Sequence, residues 1–424
     1  MAKQAAPMIE NYSAKLHDML EWLAQFGADE QGGVTRLLYT PAWLEAQQSL
    51  FTYMEAQGLE PFYDQVGNLS GRLVGKQAEQ LPIVTGSHID TVVFGGKYDG
   101  ALGVVAGVLA LSYLKETYGQ PLRTIEVISL AEEEGSRFPL TYWGSGNITG
   151  SYQADQVPMV QDREGISLEQ AMKQAGFGTD SNYSTCKREF AAYIELHIEQ
   201  GFVLERTDHQ IGVVTGIVGQ RRIEVKVLGE SNHAGTTPMQ WRRDTLAGAA
   251  LMISHVKRSA LEWGDPLVAT VGSLHVSPNV PNVIAGETTF TLDIRHLDHR
   301  ILNDYTDALY EEISAIAQQE GLTLSWKEHL RAEPVPMHQA MIDDLQHVCD
   351  QAGISSMLLP SGAGHDAQIF GVECPSAMIF VPSREGISHN PLEYTAEADI
   401  VQGFKVLTEL LYQYAYRGEY HEAL

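Results

Sequence analysis

With 424 residues, 44% of them hydrophobic and 19% charged, the chain has the composition of a globular protein of two or three domains, which excludes collagen-like, disordered and coiled-coil classes. Twenty-eight Lys and Arg stand against 54 Asp and Glu, a formal net charge of −26, and that field repels phosphate backbones and anionic membranes. It does not attract a small anion either, so an anionic substrate has to be caught by a few local Arg and His side chains.

The N-terminal stretch MAKQAAPMIENYSAKLHDMLEWLAQFG carries acidic and polar residues where a signal peptide needs an apolar segment. Helical spacing with Pro41 near the start predicts a helix over 41–57. Short β-rich runs follow at 83–85 and 124–130, and between them 100–118 is apolar on nearly every face. Strand, buried helix and strand make a βαβ unit, hence a parallel sheet covered on both sides. The apolar run 101–114 falls short of the ~20 residues a membrane-spanning helix needs. From about residue 216 the pattern changes to strand 222–228, helix 237–260, strands 267–276 and 288–294, helix 301–318 and strand 322–326. That order, βαββαβ, is ferredoxin-like. After Glu333-Pro334-Val335-Pro336 the αβ alternation returns. The expected architecture is therefore α/β, with one domain built from 1–215 and 331–424 and a second, 216–330, inserted between its halves. Cys186, Cys349 and Cys374 are scattered, without the spacing of a disulfide framework, and a cytoplasmic location is expected.

Candidate chemistry sits at strand ends. His88 and Asp90 follow the first buried strand, two residues apart and on one face if strand geometry persists, so one could bind a metal while the other orients it. Asp99 opens the buried helix, where a plain N-cap role is the ordinary alternative. Glu132, Glu133 and Glu134 come directly after strand 124–130, at the end where α/β sheets place their sites; a solvated acidic loop is the alternative. Glu195, His197 and Glu199 alternate on one face, His389 lies in a turn-rich stretch, and Ser361–Asp366 is a Gly-rich loop without a phosphate-binding Lys. Together these supply His88, Asp99, Glu134, His197 and His389 as ligands, with Glu133 left over as base. Such N/O ligands with a bridging carboxylate suit two zinc or manganese ions.

The motifs GSHIDTV, AEEEGSRF, ELHIEQG, VGQRR, GESNHAGTTPM, TLDIRH, SGAGHDAQ and GISHNP, in this order, resemble the M20 metallopeptidase and amidohydrolase family, specifically its ureido-hydrolysing branch. The resemblance implies a di-metal aminopeptidase-like catalytic domain and an inserted lid that also dimerises. It makes His88, Asp99 and His197 ligands of one metal, and Asp99, Glu134 and His389 ligands of the other. Asp90 would support His88, and Glu133 would take the proton of the attacking water and return it to the departing nitrogen. Substrate contacts would come from Gln200, Arg221, His233, Asn282, Arg295 and Gly364, with His233 donating to the oxyanion in the partner subunit's site. His197 stands where peptidase members carry Asp, and the gap from His88 to Asp99 is shorter than theirs; both features point away from peptides. The implied reaction is hydrolysis of the ureido C–N bond of allantoate to ureidoglycine, ammonia and carbon dioxide. N-carbamoyl-L-amino acids and β-ureidopropionate are the alternative substrates. A non-catalytic binding protein on the same fold would lack a ligand or the base, and none is missing.

Overall fold

The computed structural model describes residues 9–418; the first eight residues of the stretch read for a targeting signal lie outside them. From Ile9 the chain is a helix to Ala24. Tyr12, Leu16, Met19, Leu20 and Leu23 are its buried hydrophobic residues, a spacing of three and four that turns one stripe inward. Among the described residues no helix is long and apolar enough to cross a membrane.

The chain divides into two compact units, one running up to Thr215 and resuming at Met337, the other spanning Gly216–Pro336. In the larger unit four strands run parallel and adjacent, in the order Ile125–Leu130, Ile83–His88, Ala192–Ile198 and Ser376–Val381. Their registers pair His88 with Leu130 and Ile198 with Val381, so the four carboxyl ends lie side by side. All four strands are buried along their whole length, as a sheet covered on both faces requires. The predicted strand 83–85 extends through His88, and the predicted apolar helix is Ala101–Tyr118, with thirteen consecutive or near-consecutive residues buried from Ala101 to Leu114. Glu195 and His197 lie on one face of their strand, but the strand is buried on both sides and ends at Ile198, before Glu199. Glu199 instead accepts from the backbone N–H groups of Val203 (2.7 Å) and Leu204 (3.0 Å), capping the next short helix.

The second unit has the order strand Gly219–Leu228, helix Thr245–Trp263, strands Val268–Ser277 and Glu287–His296, helix His299–Gln319 and strand Thr323–Ala332. Its sheet is antiparallel, with the first and third strands central and Val268–Ser277 at one edge. Ile223, Val225 and Val227 alternate inward and meet Phe290, Leu292 and Ile294 in one core with residues of both helices. The helix expected from residue 237 starts later. Asp244 accepts from the N–H groups of Leu246 and Ala247, both at 3.1 Å, and as N-cap it fixes the start at Thr245. The last strand also outruns the expected 322–326, continuing through a register shift to pair Ala332 with Gln220.

Arg36 shows how the N-terminal segment is tied to the sheet end. Its guanidinium is buried and donates to the carbonyls of Ile89 (2.6 Å), Leu23 (2.8 Å) and Phe26 (3.0 Å). Each buried carbonyl left without its donor costs about 1–3 kcal/mol. Arg36→Met is therefore expected to lower the thermal unfolding midpoint by several degrees; an unchanged midpoint in calorimetry would contradict this clamp.

Candidate metal centre

The site is assembled at the carboxyl ends of the parallel strands. His88 closes one strand, and its Nδ1–H donates to the carbonyl of Asp90 (3.0 Å); His197 likewise donates from Nδ1 to the carbonyl of Ile198 (2.9 Å). With the proton held on Nδ1, each ring carries a lone pair on Nε2 of the kind that binds a cation, and that of His197 also accepts from the Gly100 N–H at 3.1 Å. Both Nε2 atoms face Asp99, at 3.6 Å for His88 and 3.2 Å for His197, and both approach the same oxygen, Oδ1. The other oxygen, Oδ2, lies 3.3 Å from Nε2 of His389, which is 3.4 Å from Oε1 of Glu134. Four ligands about 2.0–2.1 Å from a zinc ion stand roughly 3.3 Å from one another, the spacing seen here. Two groups, His88 with Asp99 and His197, and Asp99 with Glu134 and His389, could each hold a metal ion.

A third group of suitable atoms, Glu195, His197 and His365, is engaged in hydrogen bonds. Glu195 accepts from the Ser87 hydroxyl (2.7 Å) and the Ala367 N–H (2.9 Å), and His365 Nε2 pairs with the Ser361 hydroxyl at 3.0 Å.

Asp99 does not cap the helix. The N-cap position belongs to Gly100, at φ 62°, so the carboxylate is free to face the histidines. Only glycine fits there, because a Cβ would lie 2.5 Å from Cε1 and Nε2 of His88. Glu132, Gln200 and His389 are held left-handed at φ 55°, 55° and 54°. A left-handed non-glycine residue costs roughly 1–3 kcal/mol and persists where surroundings enforce it; here all three lie in segments that build the site.

The three consecutive glutamates point three ways. Glu132 turns inward and accepts from the N–H groups of Arg137 (3.2 Å) and Phe138 (3.1 Å). Glu133 is buried, with Oε2 3.8 Å from His88 Nε2, and Glu134 faces His389. Their backbone is held by Asp90, whose carboxylate accepts from the N–H groups of Glu133 (3.3 Å) and Glu134 (3.1 Å). The expected support of His88 by Asp90 therefore comes mainly through the Asp90 carbonyl; its carboxylate, 3.8 Å from Nδ1, is occupied with the glutamate loop.

Burial pushes the carboxyls of Glu133 and Glu134 well above the ordinary range, and neighbouring carboxylates push them further. Burial also opposes ionisation of Asp99, but His197 and His389 hold its carboxyl well below the usual range. His197 is lowered by burial and lifted more strongly by Asp99, to about 9. So many buried acids around one carboxylate are the electrostatic environment a cation relieves.

The remaining expected residues divide. Gln200 donates from Nε2 to Asp99 Oδ2 (2.7 Å), and its Oε1 is buried without a donor among the described residues. Gly364 lies against the Tyr142 hydroxyl, which a Cβ would strike. In the second unit the main chain brackets His233 and Asn282 together, with Ala234 N–H donating to the Asn282 carbonyl at 3.0 Å. Arg295 makes a two-point contact with Asp293, at 2.7 and 3.1 Å. Arg221, expected to capture a substrate carboxylate, is fully buried. Its guanidinium donates to the carbonyls of Gln220 (3.2 Å) and Ala332 (2.8 Å), to Asn303 Oδ1 (2.7 Å) and to Glu333 Oε1 (2.9 Å). The reason is strand parity: Arg221 falls on the same face as Ile223, Val225 and Val227, so its charge is spent inside this unit. Glu393 and Ser388, which the motif reading did not single out, both reach the Asp99 segment; nothing in the turn-rich 386–393 stretch marks them beforehand.

Comparison with known proteins bears on the whole chain. The peptidase family M20/M25/M40 is matched over residues 84–413. An allantoate amidohydrolase of Bacillus subtilis is 48% identical over 94% of this chain and 97% of its own length. One from Escherichia coli is 47% identical over 97% of this chain and 100% of its own. The crystal structure of an amidase of the hydantoinase/carbamoylase family from Burkholderia multivorans superposes with a TM-score of 0.89 at 34% identity, covering 93% of this chain and 96% of that one. The paired histidine and carboxylate groups at the ends of this parallel sheet are thus found in a chain that belongs to the peptidase family M20/M25/M40.

Proposed function

We propose that this protein is a metal-dependent amidohydrolase that cleaves the ureido C–N bond of allantoate, giving ureidoglycine, ammonia and carbon dioxide. The observation that carries the reading is the pair of ligand groups sharing Asp99, with a buried Glu133 beside them, in a chain nearly half identical to two allantoate amidohydrolases over almost its full length. His88, Asp99 and His197 would hold one divalent ion, manganese or zinc, and Asp99, Glu134 and His389 a second. When bound, the ions supply Lewis-acid polarisation of the ureido carbonyl and a lowered water pKa.

The chain's own residues supply the rest. Glu133 takes a proton from water and delivers it to the departing nitrogen, and its place beside the first ligand group, with Oε2 3.8 Å from His88 Nε2, supports that role. Gly235 N–H donates to Nδ1 of His233 at 3.0 Å. That bond keeps the neutral ring's proton on Nε2, leaving an N–H for the oxyanion. Asn282 accompanies it, Arg295 is the guanidinium for the substrate carboxylate, and Gln200 and the Gly364 backbone contact the substrate from the larger unit. Arg221 drops out of this set because it is fully buried and both of its terminal amino groups are engaged within its own unit. A cytoplasmic homodimer completes the reading, with lid residues entering the partner's site. The edge strand Val268–Ser277, exposing Val268 and Leu274, supplies a surface for pairing. N-carbamoyl-L-amino acids are the second substrate reading, supported by 37% identity over 96% of this chain to an N-carbamoyl-L-amino acid amidohydrolase of Geobacillus stearothermophilus, 99% of which is covered.

Ammonia release measured in parallel from allantoate, N-carbamoyl-L-amino acids and N-carbamoyl-β-alanine, with manganese-loaded and chelated protein, decides between these substrates. Chelator-sensitive release with allantoate far ahead is expected; preference for a carbamoyl amino acid would replace the substrate, and no release from any would overturn the activity. Glu133→Gln is expected to retain its cations while kcat falls about 10²–10⁴-fold; turnover at the normal rate would remove Glu133 as the base.

The protonation of His197 gives a pH dependence. In the cation-free protein its pKa is raised from 6.5 to about 9, so the stability it adds is fully present below 6.5 and is lost as pH rises through about 9. A cation needs the neutral ring, so manganese affinity should climb with pH across that window, with protons released on loading at pH 7. Calorimetry in buffers of different ionisation enthalpy measures that release, and a proton count of zero would contradict it.

A further inference from the structure

Glu393 is a carboxylate that the reading above leaves unused, although it sits at the junction of the two segments that matter most. It is 4% exposed. Its Oε1 accepts from two successive backbone N–H groups, Tyr98 at 2.9 Å and Asp99 at 3.1 Å. Its Oε2 lies 2.9 Å from the Ser388 hydroxyl, which is also 2.9 Å from Asp99 Oδ2. Gly96 closes over the same carboxylate so tightly that a Cβ there would collide with it. One buried side chain thereby ties the turn carrying Asp99 to the loop carrying His389, nearly three hundred residues apart in sequence. Such a brace fixes ligand direction, and loss of partners that orient metal ligands costs about 10–100-fold in affinity.

We propose that Glu393 is a positioning residue for the pair of cations, setting the direction of Asp99 and, through Ser388, the place of His389. This rests on the two-cation reading above. The two groups depend on it unequally. The His88, Asp99 and His197 group relies on Glu393 only through the Asp99 backbone. The Asp99, Glu134 and His389 group relies on it at both Asp99 and the residue next to His389, so this group is the one that weakens when Glu393 is removed. Glu393→Gln keeps an acceptor for the two N–H groups and an amide that can donate to Ser388, so it rescues the brace.

The test is a manganese titration of the full, chelator-stripped chain, reading free Mn²⁺ by electron paramagnetic resonance, for the wild type, Glu393→Ala, Glu393→Gln and Ser388→Ala. The wild type should take up two ions. Glu393→Ala should weaken one of them about 10–100-fold and leave the other within a few-fold, with Glu393→Gln restoring most of the loss. Ser388→Ala should weaken the same ion by a smaller factor while the melting temperature without metal stays unchanged, and it decides the matter alone if Glu393→Ala fails to fold. Both ions bound at wild-type strength by Glu393→Ala, or by Ser388→Ala where Glu393→Ala does not fold, would overturn the proposal and leave the function standing. A wild-type chain that binds no pair of ions would overturn the two-cation reading and this inference with it.

Discussion

The carboxylate of Asp99 is the constraint around which the larger unit is organised. One oxygen faces His88 and His197 and the other faces His389, and holding it so requires several unusual local choices. Gly100 must be left-handed and without a side chain, since His88 occupies the space a Cβ would take. The helix after it must begin without a side-chain cap, so that Asp99 is not drawn to the helix N-terminus. The two histidines must be anchored from behind by main-chain carbonyls, which sets their Nε2 atoms toward the carboxylate. The left-handed glycine and the missing cap cost stability locally, and the histidine anchors together with the extensively buried parallel sheet beneath supply the rigidity that sustains them.

Electrostatics follow from the same arrangement. Asp90, Glu132, Glu133, Glu195 and Asp366 are all buried near Asp99, and in water-poor surroundings such a concentration of acids is tolerated through backbone donors, raised pKa values or cations. The structure uses the first two visibly: Asp90 and Glu132 take backbone N–H groups, and burial pushes Glu132, Glu133 and Asp366 toward the protonated form. The protein is acidic throughout, but charge is spent in a directed way here. Arginines are instead placed where they finish a fold, as Arg36 does in the larger unit and Arg221 in the smaller.

Much of this was legible in the sequence because strand ends and β-α alternation place residues reliably. The parallel strands, the apolar helix between two of them, the βαββαβ order and the five histidine and carboxylate ligand candidates could be read from local pattern and from family likeness. What local pattern did not reveal has identifiable causes. The division of labour within Asp90, carbonyl to His88 and carboxylate to the glutamate loop, turns on 3.0 Å against 3.8 Å from one ring nitrogen, a difference that no sequence pattern encodes. Glu393 acts on a turn nearly three hundred residues away, and no period or spacing signals that contact. Arg221 is different, since period-two counting from Ile223 already puts it on the core face; the family expectation of a carboxylate clamp outweighed a parity that the sequence displayed. Helix 237–260 began too early because Thr237-Pro238 looks like an opening, whereas the Asp244 cap decides the matter.

The central claim is that Asp99 is shared between two cation sites. Crystals of the full chain grown with Mn²⁺ and measured at the manganese absorption edge test it directly. Two anomalous peaks are expected, one between Asp99, His88 and His197 and one between Asp99, Glu134 and His389. A single peak, or a pair of peaks that leaves Asp99 in contact with only one of them, would contradict the claim.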